Sequence, residues 1–124
     1  METIKTHKEL RVYQAAFQAA LEIYQLSKNF PAEEKYSLTD QVRRSSRSVA
    51  ANIAEAYRKR KYPKHFVSKL SDAESEAAET QVWLDFAKSF NYVEASDYGR
   101  LYDIYDHVLS QLVLMANNPD KWCH

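Results

Sequence analysis

The densest concentration of chemistry in the sequence is a run of cations: Arg43, Arg44, Arg47 and Arg58, followed directly by Lys59, Arg60 and Lys61. Placed on a helix at about 100° per residue, the four arginines share an arc of roughly 100°, which also holds Ala51 and Ala54. A guanidinium is a planar fork that keeps its charge and matches the oxygens of a phosphate. Such contacts position RNA or DNA by its backbone and carry no base information. The same strip could instead pair with an acidic protein surface. Other chemistries lack their parts. A di-iron bundle site needs a histidine three residues after a glutamate, and His7, His65, His107 and His124 all fail that spacing. Asp103 and His107 stand four apart, where a surface hydrogen bond is the simpler reading than a metal. Ser45, Ser46 and Ser48 have no histidine near them in sequence to act as base. The carboxylates Asp72, Glu74, Glu76 and Glu79 read as a solvated face. The single glycine, Gly99, rules out phosphate-cradling loops, and the single cysteine, Cys123, rules out an internal disulfide or thiolate zinc site. No catalytic residue, metal or cofactor is expected.

The strip needs a helix to carry it, from about 38 to 61. Leu38, Val42, Ser46, Val49, Ile53 and Ala56 form its core-facing stripe. Ser45, Ser48 and Asn52 form a polar seam beside the arginines. Asn52 and Glu55 are read as structural: the amide bonds polar groups near the seam, and the carboxylate pairs Arg58 or Lys59. Ser37 or Thr39 is placed to cap the helix start, and Pro63 to open the next helix. Basic residues in the last turn also complement the negative end of the helix dipole, a purely local reason for part of the cluster.

Three more periodic segments surround it, at about 8–29, 63–90 and 95–116. In the first, Leu10, Tyr13, Phe17, Leu21 and Tyr24 make one apolar stripe, and Val12, Ala16, Ala19, Ile23 and Leu26 a second. Together they span roughly 220° at about 100° per residue, where a surface helix needs only about 100°. The surplus assigns the second stripe to an oligomer interface; the alternative is a helix sunk centrally in its own bundle, which is harder to satisfy in so small a domain. The third segment carries Phe66, Leu70, Ala73, Ala77, Leu84 and Ala87 as a core stripe, with a second patch at Val82, Trp83, Phe86 and Phe90. The fourth presents Tyr98, Leu101, Tyr105, Val108, Leu112 and Met115. Asn117-Asn118-Pro119 ends it, leaving a tail at 117–124 with no clear order.

Four helices joined by short breaks predict an all-α, antiparallel up-down-up-down four-helix bundle, one domain over residues 1–124. Formal net charge is zero, so no whole-molecule field draws nucleic acid. The charge is nonetheless segregated. From Val42 to Lys69 there are nine Lys or Arg and one acid, Glu55; from Leu70 to Asp106 there are nine acids against Lys88 and Arg100. Neither a signal-like start nor a run of about 18 apolar residues is present, so a soluble, cytoplasmic protein without membrane contact is expected.

The residues Phe30-Pro31, Glu34, Tyr36, Leu38-Thr39, Gln41, Arg43-Arg44-Ser45 and Asn52 to Glu55 together resemble the bacterial four-helix-bundle family encoded by intervening sequences within 23S ribosomal RNA genes. Phe66 to Leu84, including Glu79-Thr80, is similar to that family's third helix. Ala56 and Ala73-Glu74 stand where many members carry glycine or Gly-Ser, which suggests a subgroup. The resemblance implies a protomer that assembles into a ring, a homopentamer. It also implies kinship with accessory proteins of diversity-generating retroelements, held to bind nucleic acid and a reverse transcriptase through basic surface. The function expected is therefore a non-enzymatic, homo-oligomeric nucleic-acid-binding accessory protein. The alternative is an interaction module whose basic helix meets an acidic partner.

Overall fold

The computed structural model describes residues 4–124. Four long helices dominate it, and no strand occurs among the described residues. They are α1 (Arg11–Ser27), α2 (Leu38–Arg58), α3 (Pro63–Ser89) and α4 (Ala95–Asn117). Short 3-10 turns at His7–Glu9 and Ala32–Glu34 precede α1 and α2, and a one-turn helix, α5 (Pro119–Trp122), follows α4.

α2, α3 and α4 each bury the stripe that apolar spacing predicts for the core, and α1 buries the other of its two stripes. α2 packs between α1 and α3, and α4 closes against α3 and α1. At the centre, Phe66, Leu70, Leu101, Tyr105 and Leu112 are sealed from water. Small residues let the backbones approach: Ala16 and Ala19 of α1, and Ala73, Ala77 and Ala87 of α3, are all buried. The core also holds polar pairs. The hydroxyls of Thr80 and Ser45 are hydrogen-bonded at 2.8 Å between α3 and α2, so Ser45 sits inside and is no part of a wet seam. The Gln81 amide donates to Asp106 at 2.8 Å between α3 and α4. Arg100 of α4 forms an ion pair with Glu22 of α1.

The boundaries differ from the expected ones where side chains outside the helix act. α1 begins at Arg11 because Leu10 is extended, with φ −73° and ψ 125°. Neither Ser37 nor Thr39 caps α2 with its side chain. Glu34, held on the preceding turn, does so: it accepts from the Leu38 amide at 3.4 Å and from the Ser37 hydroxyl at 2.6 Å. A carboxylate also suits the positive end of the dipole. The same carboxylate accepts from the Tyr92 hydroxyl at 3.0 Å, tying the α1–α2 loop to the α3–α4 turn. These bonds, the Ser37 one first, hold the Glu34 carboxyl below its usual range. Asn91, at φ 62°, ends α3 in the left-handed region, and the Tyr92 amide returns to the Ala87 carbonyl at 2.8 Å; asparagine tolerates this backbone where a glycine is usual. The tail, expected to lack clear order, folds as α5 and packs Trp122 and Cys123 against the core.

Candidate nucleic-acid interface

Straight-chain residues and alanines favour helix through α2, and its buried face fixes where the cations go. With Val42, Val49 and Ile53 turned inward, the arginines are distributed around the remaining circumference. They do not behave as one set.

At the N-terminal half, Arg43 turns toward α1. Its Nε donates to Ser27 Oγ at 2.7 Å, and its guanidinium carbon stands 4.6 Å from the centre of the Tyr24 ring. Ser27 is buried and donates its own proton to the Tyr24 carbonyl at 2.9 Å, so its free lone pair is aimed at Arg43. Arg47 and Lys28 face the same ring, at 5.9 and 4.9 Å. Arg44 lies 4.0 Å from Asp40 with most of its side chain in water. Its charge also reaches Glu76 on α3, opposing the upward shift of that carboxyl caused first by burial and then by Glu79.

At the C-terminal end, Arg60 folds back. Its guanidinium carbon lies 3.7 Å from the centre of the Tyr57 ring, and its Nε donates to the Tyr57 carbonyl at 2.9 Å. The Tyr57 hydroxyl in turn donates to the Ile4 carbonyl at 2.8 Å, and the His124 amide to the Arg60 carbonyl at 3.3 Å. Arg60 thus helps join both chain ends to α2. Arg58, Lys59 and Lys61 are exposed, as is Lys64 in the first turn of α3. None of these four forms an ion pair among the described residues.

Two structural roles differ from expectation. Glu55 pairs with neither Arg58 nor Lys59; Lys69 of α3 reaches it at 2.8 Å and also lies 3.6 Å from Asp72. The Glu55 hydrogen bond and charge raise the Lys69 pKa. Asn52 is half-buried, and its amide donates to the Ser48 carbonyl one turn back at 2.9 Å, a bond within the helix.

The stripe assigned to an oligomer interface requires correction. Val12, Ala16, Ala19 and Ile23 are buried by the chain itself, and Leu26 packs half-buried against the same core. Of the bulkier stripe, Leu10 is buried and Tyr13 half-buried, while the rest stays outside, with Phe17 45% and Leu21 46% exposed and Tyr24 beside them. Helix-to-helix approach explains the choice, since Ala16 and Ala19 admit a neighbouring backbone where Phe17 and Leu21 would hold it off. Between α1 and α2 the outer stripe forms the wall of an open groove of about 600 Å³. Ala20, Ala50, Ala51 and Ala54 line it, with Arg47 among its polar residues. The arc holding arginines over Ala51 and Ala54 therefore borders an apolar groove. No local signal pairs Arg43 with Ser27 or Tyr24. A tyrosine and a serine at the end of a helix, ahead of an arginine-rich one, were the only hint available.

Among the described residues no three His, Cys, Asp or Glu side chains gather as a metal site. No helix there is long and apolar enough to cross a membrane.

The sequence model of the family described as 23S rRNA-intervening sequence protein matches residues 8–113, which run through α1, α2 and α3 and most of α4. The chain belongs to that family. The residues of this intervening-sequence family member that fall outside the match include α5 and His124, whose amide is bonded to the Arg60 carbonyl. Its fold is similar to a crystal structure from Bacteroides thetaiotaomicron, described as a protein of unknown function from the S23 ribosomal protein family. The TM-score is 0.77 at 27% identity, over 86% of this chain and 95% of the other. No curated protein matches.

Proposed function

We propose that this intervening-sequence family member acts without catalysis, as a homo-oligomeric accessory protein that holds RNA or DNA by its phosphate backbone. The observation that carries the reading is the cluster Arg58, Lys59 and Lys61, exposed and without an ion pair among the described residues. Unneutralised cations at one helix end gain most from displacing the counterions of a nucleic acid. Arg47 stands as a further contact, whereas Arg43, Arg44 and Arg60 spend part of their charge or donors within the chain. We read the chain as one domain, an antiparallel up-down-up-down bundle. In support, the α2–α3 contacts run Ser45 to Thr80 and Glu55 to Lys69, rising on one helix as they fall on the other. The ring, a homopentamer, follows from the family resemblance; repeating the cationic cluster in it would add affinity through multivalency. A cytoplasmic setting belongs to the same reading.

A gel-shift titration with a generic structured RNA at about 50 and 200 mM salt tests the proposal. If each protomer neutralises about four phosphates, affinity should fall about 10²-fold across that range. Absence of binding at the lower salt would remove the reading. The zero net charge favours the second reading, in which the basic helix meets an acidic protein surface; retained assembly with no RNA binding would select it.

A further inference from the structure

The groove between α1 and α2 combines cations on one helix with rings on the other. Along α2 its lining runs from Arg47 through Ala50 and Ala51 to Ala54. Arg58 follows Ala54 by four residues, the spacing of neighbours on a helix surface. Arg47 and Arg58 are both exposed, and neither is in an ion pair among the described residues. Along α1 the wall is Tyr13, Phe17, Leu21 and Tyr24. His7, Tyr13 and Phe17 stand in file, with ring centroids 4.7 Å apart from His7 to Tyr13 and 5.9 Å from Tyr13 to Phe17. The last two rings lie only 28° from parallel. Tyr24 is already taken, with Lys28, Arg43 and Arg47 facing its ring. Phe17 ends the file with close to half its surface in water, so it has room for a further neighbour.

A duplex has little to give such a groove. Its base faces are hidden in the stack, and its phosphates and sugars would lose water against alanines and rings without gaining a hydrogen bond. An unpaired base offers a flat apolar face to lay on a ring, while the phosphates on either side of it stay with the cations. Aromatic side chains set along a positively charged groove hold single strands in this way, whatever the sequence, because every base has a π-face. The groove, about 600 Å³, also has the volume of a small-ligand site.

We propose that the nucleic acid held by this chain is single-stranded, with an unpaired base laid on Phe17 over the alanines of the α1–α2 groove and its flanking phosphates on Arg47 and Arg58. The inference rests on the phosphate-backbone reading above and names the ligand class of that same site. Arg47 and Arg58 keep the role given to them there, and Lys59 and Lys61 carry the strand past the end of α2. Arg43 stays on Ser27 and Tyr24. Phosphate contacts alone would favour a duplex, which has the higher charge density, so a preference for the single strand has to come from the bases.

Fluorescence anisotropy at about 50 mM salt tests it with three RNA probes: an oligoribonucleotide without self-complementarity, the same strand annealed to its complement, and the same strand made abasic. The intact single strand should bind at least about tenfold tighter than either of the others, the size of losing one stacked base. Phe17→Ala should weaken the intact strand by about tenfold and leave the duplex, the abasic strand and the salt dependence unchanged, because no phosphate contact is lost. Circular dichroism checks its folding. Phe17→Leu keeps the wall apolar and removes only the ring, so it should lose as much, and it serves alone if Phe17→Ala loses helicity. Equal affinity for single strand and duplex, or full single-strand affinity in Phe17→Leu, would overturn the proposal. A Phe17 variant whose mass in solution changes would also overturn it, since the groove would then be covered by a second copy. The two readings fail differently: equal, salt-sensitive binding of all three probes sinks this inference and leaves the phosphate reading standing, whereas no binding of any probe removes both.

Discussion

The two ends of α2 carry the same residue types and put them to different use. Toward the N-terminus, Arg43 is bonded to a buried serine and laid on Tyr24, with Arg47 facing the same ring. Toward the C-terminus, Arg58, Lys59 and Lys61 stand in water. A guanidinium already bonded within the fold must break or share that bond to meet a phosphate, and the ring gains about 0.5–2 kcal/mol from the cation it would lose. A solvated cation meets no such resistance. Clustered arginines in a sequence are therefore not one functional unit: part of this cluster holds α1 to α2, and part is available.

Four measurements bear on that contrast. The largest effect is expected from combining Arg58→Glu, Lys59→Glu and Lys61→Glu. Affinity for structured RNA at low salt should fall by about 10²-fold or more. The stability of the bundle should move by no more than about 1 kcal/mol, as exposed substitutions usually do. If RNA binding survives intact, the C-terminal end is not the contact. Arg43→Ala should show the opposite pattern, losing about 1–2 kcal/mol of stability in denaturant melts with RNA affinity changed less than threefold. Arg43→Lys should recover only part of that, because the ammonium lacks the guanidinium plane that covers the ring. A large RNA defect in Arg43→Ala with normal stability would erase the distinction between the ends. Smaller still, Tyr24→Leu keeps the apolar contact and removes the cation–π attraction; a loss of about 0.5–1 kcal/mol is expected by thermal unfolding.

The smallest effect lies between the two ends, at Glu55 and Lys69. The pair raises the Lys69 pKa above its ordinary value. A base whose folded pKa is raised stabilises the fold fully below its unfolded pKa, near about 10.4, and that contribution is lost as pH rises through the folded value. Thermal melts from about pH 9 to 12 should therefore show a shallower alkaline decline in Glu55→Gln than in the wild type. Tyr98 titrates in the same window, pushed up to about 12 by its 2.5 Å bond to Asp85 and by burial. Asp85→Asn is the control that separates the two. An identical alkaline limb in wild type and Glu55→Gln would show the ion pair to be idle.

Much of this was legible in the residues. Periodicity placed four helices because burial of one face repeats every three or four residues whatever the neighbours are. It identified the core faces of α2, α3 and α4 correctly, since in each only one stripe runs the length of the helix. The run of cations was visible, and so was the near absence of acids beside it. α1 exposed the limit. It carries two apolar stripes, and hydropathy alone cannot say which faces inward; the alanines that admit a neighbouring backbone decided it once the helices were together. The partners of Arg43 and Arg60, the capping of α2 by Glu34 and the Glu55–Lys69 pair escaped for a related reason. Each joins groups whose meeting depends on how one element is rolled and set against another, and that geometry exists only in the packed molecule. The sequence by itself determined the helices, their core-forming residues and the stock of charge. Only the tertiary structure decided which cations were spent, because proximity across helices is a property of packing and not of order along the chain.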